Sequence, residues 1–272
     1  MPAPDANLMA QLVKANFLSK GIKVPSSWDP ALEDSVNKKV EDFRPGVPRP
    51  TNIFVPPSMD KIAVEACNKV SEGFEGFIDD ACAAICGSWS SWQSAVKFVG
   101  VIINAGVGIL PPGGMVGGGL MAGPMILARM QQKGGNYALY ANAVSSAIGQ
   151  AWTAWELGYT NPAIPFPGGT ACSTTMPPSP NTPVPLASGA SPGDALMDAS
   201  LLKLSMLGLL GVPGEHADPL CDSIAQAFVQ LFLAWKGTTV ITNIMGTGGV
   251  APPPPAPPGP VAGAVGNGGS LS

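Results

Sequence analysis

The stretch Asp79–Trp92, with the sequence DDACAAICGSWSSW, returns twice more along the chain. When Trp92 is aligned with Trp155 and Trp235, the residues that precede each tryptophan match without a gap. Their apolar positions recur on one side of a helix with about 3.6 residues per turn, so we expect three helices whose aromatic faces pack together. The residues predicted to form this repeat core are Ile85, Trp89, Trp92, Ile148, Trp152, Trp155, Phe228, Phe232 and Trp235.

A Gly/Pro-rich segment follows each copy, and a shorter helical pattern precedes each one. Three copies of one unit predict an all-α fold, in which three helical hairpins form a bundle with long Gly/Pro-rich extended loops. The sequence divides this domain, residues 58–272, into repeats at about 58–121, 122–192 and 193–272. Residues 1–57 are predicted to form an N-terminal helical appendage that ends in a proline-rich arm.

The aromatic helices are predicted from Ile78 to about Val107, from Tyr137 to Leu157 and from Leu220 to about Ile244. The loops between them have two interpretations. Their Pro, Gly and Ser content is typical of free linkers. Their regularly placed apolar residues favour ordered arms that lie on neighbouring subunits, because extended proline-rich segments lose little entropy on binding.

Charged residues make up only 12% of the 272 residues, whereas hydrophobic residues make up 46%. The surface of a free soluble domain usually carries about 25–35% charged residues. We therefore expect much of the surface of this chain to be covered by other protein subunits, by a membrane or by the chain itself. The net charge of −4 and the lack of a Lys/Arg cluster exclude nucleic acid as a partner.

Cysteine and histidine are the residue types most open to a chemical role. Cys82 and Cys86 lie four residues apart on one helix face and, with Cys67 and His216, are the candidates for a metal site, although their spacing fits no zinc signature. Cys221 is a candidate nucleophile and His216 is its candidate base. The turn that contains His216 is, however, already explained as the start of a helix. No glycine run is followed by the Lys-Ser/Thr of a phosphate loop. We expect no enzyme activity, cofactor or metal.

The run from Phe98 to Ala128 contains no charged residue. Its length suits a membrane-inserting hairpin, which makes a membrane-active or pore-forming protein the alternative function. Pro111 and Pro112 divide the run into pieces too short to cross a bilayer as helices, and the equivalent stretches of the other two repeats are more polar. Buried packing is therefore the favoured interpretation of this run.

The tandem helices that end in W-x-x-W or F-x-x-W, followed by VIIN and by PPGG and PFPGG loops, resemble small structural components of phage tails and contractile injection particles. This resemblance covers about residues 78–272. It implies a non-enzymatic structural subunit of a large assembly, a homo-oligomer with three-fold or six-fold symmetry, whose Gly/Pro arms make contacts between subunits. The chain would be cytoplasmic during synthesis and later part of a virion or of an extracellular or cytoplasmic particle. No catalytic residues are implied.

Overall fold

The computed structural model describes residues 2–20, 58–104, 106–131, 136–166, 179–214, 216–247 and 264–272. The proline-rich arm predicted at the end of residues 1–57 lies outside this part. The α-helices of the described part are α1 (Ala6–Ser19), α2 (Ser58–Ala95), α3 (Gly123–Arg129), α4 (Asn136–Gly158), α5 (Ala199–Leu210) and α6 (Ala217–Thr238).

Acidic side chains define where two of the helices begin. The carboxylate of Asp5 accepts hydrogen bonds from the backbone N–H groups of Asn7 and Leu8, at 2.9 and 3.1 Å. Asp198 caps α5 in the same way through two backbone N–H groups. Each cap satisfies donors that the first turn of a helix leaves without a partner, and it therefore fixes the start of the helix.

An antiparallel sheet accompanies the helices, so the prediction of an all-α bundle is wrong. Each aromatic helix leads directly into a strand, and further strands occupy segments predicted as Gly/Pro loops. The strands are β1 (Lys97–Asn104), β2 (Val107–Leu110), β3 (Met115–Val116), β4 (Asn161–Pro165), β5 (Ser179–Pro180), β6 (Val184–Pro185), β7 (Val240–Thr247) and β8 (Ala264–Leu271).

The sheet forms a nearly closed, six-stranded barrel. Its strands follow the order β4-β2-β1-β8-β7-β5, while β3 pairs with β1 and β6 pairs with β7. The two ends of this order approach each other. The Thr182 N–H donates to the carbonyl of Pro165 at 2.8 Å, and Thr160 pairs with Ala190 in an isolated antiparallel bridge.

The barrel and the helices are built from three similar units arranged in a ring. Each unit contains a short helix, a long helix, a first strand and a second strand. The first unit consists of α1, α2, β1 and β2, and the second consists of α3, α4, β4 and β5 with β6. The third unit consists of α5, α6, β7 and β8. The second strand of each unit pairs with the first strand of the next unit, in the pairs β2–β4, β5–β7 and β8–β1. Each short helix contacts two long helices: α1 contacts α2 and α6, α3 contacts α2 and α4, and α5 contacts α4 and α6.

Two of the aromatic helices end earlier than the sequence predicts. The first ends at Ala95 and not near Val107, and the third ends at Thr238 and not near Ile244. The residues that follow are rich in Val, Ile and Thr, whose branched side chains fit a strand better than a helix. The backbone groups of these residues form hydrogen bonds with neighbouring strands and not with the preceding turn of the helix.

The strands after the three helices bury equivalent positions. Positions six, nine and eleven after Trp92, Trp155 and Trp235 all point into the barrel. A regular strand alternates faces, so burial at both the sixth and the ninth position requires one extra residue. Register shifts occur there in the pairings of β1 with β8 and of β2 with β4, and Gly100 in β1 adopts a positive φ of 68°. The buried positions are Phe98, Val101, Ile103, Asn161, Ile164, Phe166, Ile241, Ile244 and Gly246.

Helix α1 belongs to the same core and is not a separate appendage. Its residues Met9, Val13 and Phe17 are completely buried. Lys14 forms an ion pair with Asp79 of α2 at 2.8 Å. A second ion pair, between Lys20 and Asp222, joins the end of α1 to α6. These contacts place α1 in the groove between two long helices.

Candidate interaction surface

The nine residues predicted from the repeat lie together in the centre of the helical layer, and none is more than 1% exposed. We call them the aromatic cluster. The ring centroids of Trp89 and Trp92 each lie 4.9 Å from Trp152, and those of Trp155 and Phe232 lie 5.2 Å apart. These pairs are close to perpendicular, which is a favourable arrangement for aromatic rings. The cluster joins the three long helices and is closed to ligands by its own packing.

Two indole groups of the cluster are tied to polar side chains on another helix. Trp92 Nε1 donates to Glu156 Oε2 at 2.8 Å, and Trp235 Nε1 donates to Gln93 Oε1 at 3.0 Å. The other oxygen of Glu156 accepts from the backbone N–H of Gly117. Burial raises the pKa of Glu156, although both hydrogen bonds act in the opposite direction. Glu156 thus fastens the loop after β3 and the helix α2 to α4.

Three of the candidate nucleophile and metal-ligand residues, Cys82, Cys86 and Cys221, are buried thiols, and the side chain of Cys67 lies outside the described part. Burial raises the pKa of the Cys86 and Cys221 thiols to about 12 and also raises that of Cys82. Such thiols are protonated at neutral pH and are poor nucleophiles. His216 lies just before α6, with its ring centroid 6.2 Å from that of Phe74. Within the described residues no three His, Cys, Asp or Glu side chains group as metal ligands do.

Part of the loop predicted to reach a neighbouring subunit packs on its own chain. Val184 and Leu186 are buried, and the Leu186 N–H donates to the Thr239 carbonyl at 2.8 Å. The Tyr159 hydroxyl donates to the Leu186 carbonyl at 2.6 Å. These contacts cover the end of α6. The remaining parts of the predicted arms, residues 167–178 and 248–263, lie outside the described residues.

The charge-free run from Phe98 to Ala128 forms β1, β2, β3 and α3. Its side chains Phe98, Leu110 and Ile126 are completely buried in the core of the same chain. Among the described helices, none combines the length and the apolar composition required to cross a membrane.

The outside of the barrel carries an apolar surface that follows the pattern of the strands. Seven side chains form it, and we call them the outer belt. Ile102 is 47% exposed, Ile109 44% and Val265 40%. Exposed contiguous apolar surface of this kind is typical of a binding site. The outer belt consists of Ile102, Val107, Ile109, Pro165, Pro180, Met245 and Val265.

The strand register places residues of the outer belt opposite each other in pairs. Ile102 lies directly opposite Ile109 on one side and opposite Val265 on the other. Residues directly opposite each other in antiparallel strands share a face, with Cβ atoms about 4.5–5.5 Å apart. Two further opposite pairs, Val107 with Pro165 and Pro180 with Met245, extend the belt around the barrel.

Charged side chains are almost absent from this side of the molecule. Of the residues in the described strands, Lys97 is the one that carries a charge, and it lies at the start of β1 next to α2. A partner on the outer belt would therefore be bound by apolar contact and shape, with little contribution from ion pairs.

Sequence reasoning missed the outer belt because it placed these residues in helix ends or loops. A signal was present nevertheless. The tenth residue after each of the aligned tryptophans is Ile102, Pro165 or Met245, and all three are apolar. Extending the repeat past the tryptophans would have shown that these positions are equivalent.

A second group of exposed apolar side chains lies on the helical layer. Leu201, Leu204 and Leu209 of α5 are 45%, 61% and 49% exposed. The exposed leucines of the other helices occupy separate positions, such as Leu139 of α4 and Leu233 of α6. This group belongs to one unit, whereas the outer belt includes residues of all three.

Comparison of the chain with protein-family models, with curated proteins and with solved structures finds no match.

Proposed function

We propose that this chain is a non-enzymatic structural subunit of a large protein assembly, of the kind that builds phage tails and contractile injection particles. The observation that carries the proposal is the outer belt, an apolar surface without ion-pairing groups on a small, rigid barrel. Leaving such a surface in water is unfavourable, and burying it against another subunit recovers about 25 cal/mol per Å².

Two further observations support an assembly role. The low share of charged residues, 12% of the chain, suits a protein whose surface is covered by neighbours. The buried aromatic cluster gives the chain a stiff centre, which suits a part that carries load between subunits. In this proposal the chain is made in the cytoplasm and then becomes part of the particle, in contact with other subunits or with further copies of itself.

Sedimentation tests the proposal directly. Lysate of cells that produce the chain is separated on a density gradient, and the chain is expected to travel with a particle many times its own mass of 27.6 kDa. The variant Ile102→Asp places a charge in the outer belt and is expected to move the chain to the top of the gradient. Leu233→Asp, at an exposed position on α6, is the matched control and is expected to leave the gradient unchanged. A wild-type chain that sediments as a monomer would contradict the proposal.

A membrane-active protein is the rival proposal, and the charge-free run from Phe98 to Ala128 is what favours it. In the structure this run supplies inward residues of β1 and β2, so insertion would require the barrel to unpack. Dye release from liposomes tests this rival. Release by the wild-type chain that disappears when Val107 is replaced by Asp would favour it, and intact liposomes would leave the assembly proposal ahead.

A further inference from the structure

The outer belt follows the three-unit plan of the molecule. Counting ten residues from each aligned tryptophan leads to Ile102 on β1, Pro165 on β4 and Met245 on β7, one residue from each unit. All three side chains are exposed, while the residue before each of them, at the ninth position, is buried. The chain therefore presents one apolar position three times around the barrel.

The second strand of each unit completes the same pattern. In the first unit Ile109 and Val107 accompany Ile102, in the second unit Pro180 accompanies Pro165, and in the third unit Val265 accompanies Met245. Strand pairing between units connects these groups, because Val265 lies opposite Ile102, Val107 lies opposite Pro165 and Pro180 lies opposite Met245. The outer belt thus consists of three similar sectors, with one apolar pair at each junction between units.

Three similar sectors of this kind restrict the symmetry of their partner. A single asymmetric partner would cover one sector and leave two exposed. A second copy of the chain joined about a two-fold axis would also cover one sector on each copy. Three identical surfaces around a common axis cover all three sectors at once, and their simultaneous contacts strengthen each other.

From this pattern we propose that the outer belt docks into an apolar socket on the three-fold axis of a homotrimer formed by another chain, with one copy of the present chain per trimer. Charge complementarity agrees, because the described strands offer the partner no charge beyond Lys97. The socket must accordingly be lined by apolar side chains. This inference rests on the proposed function, since it names the partner that the structural subunit would contact.

Native mass spectrometry of complexes purified through a tag on this chain, from cells that produce it, gives the decisive measurement. The expected complex contains one copy of this chain and three copies of one other chain. Three variants, Ile102→Asp, Pro165→Asp and Met245→Asp, are expected to lower the yield of that complex to a similar extent, each by about tenfold or more. Similar losses are expected because a symmetric trimer contacts the three sectors alike.

The control variant is Leu204→Asp on α5, which adds the same charge at a position that is 61% exposed and outside the outer belt. It is expected to leave the yield unchanged. Thermal unfolding of each variant shows that the barrel is intact, and a variant that unfolds early is replaced by the corresponding Ser substitution.

The possible outcomes separate this inference from the proposed function. A complex with one or two copies of the partner, a complex of this chain with itself through the outer belt, or a loss confined to one of the three variants would each overturn the inference. The proposed function would survive those results, because the chain would still belong to an assembly. A chain that remains monomeric in the producing cells would overturn both.

Discussion

Single glycine residues set how closely the elements of this molecule approach each other. Gly149 of α4 lies against Gly123 of α3, and a Cβ atom built on Gly149 would lie 2.1 Å from the Gly123 nitrogen. At Gly117 an added Cβ would lie 1.8 Å from Trp92 Nε1. Contacts this short leave no room for any side chain, so these glycines are part of the packing and not signs of loose loops.

Replacing Gly149 by Ala is expected to force α3 away from α4, because the atoms in the way belong to backbone. We expect a loss of about 1–3 kcal/mol in the free energy of unfolding, as for other overpacked sites. Urea unfolding followed by circular dichroism measures it. The control is Gly208→Ala in α5, where the added Cβ meets no atom within 4 Å. That variant is expected to gain up to about 1 kcal/mol from helix propensity, and equal stabilities of the two variants would contradict the packing argument.

Glu156 gives the molecule a predictable pH dependence. Because burial raises its pKa in the folded state, the folded chain binds the Glu156 proton more tightly than the unfolded chain does. The stabilisation is therefore complete below the unfolded pKa of about 4.5 and is lost as the pH rises through the folded value. Glu156→Gln is expected to make the pH profile of the unfolding free energy flatter than that of the wild type above pH 4.5. Parallel profiles for Glu156→Gln and the wild type would contradict this role.

At the scale of elements, the barrel is narrow and depends on small residues that face inward. Gly266 of β8 lies against Ile244 of β7 and Val101 of β1. Gly108 of β2 has a similar position against Val101 and Phe166. Six strands enclose little space, so large residues at some inward positions require glycine at others.

Adding one carbon inside the barrel is expected to cost more than adding one outside. In Gly266→Ala the new Cβ would lie 2.9 Å from Ile244 Cγ2 and 3.1 Å from Val101 Cβ. We expect a loss of about 1–3 kcal/mol in the free energy of unfolding. Val265→Ile adds one carbon at the neighbouring residue, which points outward, and is expected to change the stability by less than about 0.5 kcal/mol. A larger loss for Val265→Ile than for Gly266→Ala would show that the strand faces the other way.

At the scale of the whole molecule, helices and barrel share one hydrophobic core. The buried cluster runs from Met9 in α1, through the aromatic cluster, to Phe98 and Ile244 inside the barrel. Ion pairs such as Lys14 with Asp79 and Lys203 with Asp218, both at 2.8 Å, join helices around its edge. A continuous core of this kind favours cooperative unfolding.

The reactivity of the buried thiols tests whether the molecule unfolds cooperatively. In a Cys67→Ser, Cys172→Ser variant the remaining cysteines are Cys82, Cys86 and Cys221, all buried with raised pKa values. At a concentration of thiol reagent high enough for labelling to be faster than reclosing, we expect them to react at one common rate that equals the rate of global opening. Added urea should increase all three rates together, as mass spectrometry of the labelled chain can measure. Fast labelling of a single cysteine in the native protein would indicate a separate, locally opening element.

The sequence by itself determined which faces of the three long helices pack together. Intervals of three and four residues placed Trp89, Trp152 and Phe232 on helix faces, and those faces meet in the structure. The boundaries of α4 lie within one residue of the predicted helix from Tyr137 to Leu157, because apolar periodicity is a local property of a helix.

Only the tertiary structure decided that the segments after the tryptophans are strands and that they close into a barrel. Segments such as NPAIP are short and contain proline or an irregular register, so their alternation of buried and exposed residues is weak in the sequence. A strand is stabilised by hydrogen bonds to partners that are distant in the chain, as Ile102 is paired with Val265. The outer belt depends on those pairings as well, because residues from all three units become neighbours only when the barrel has formed.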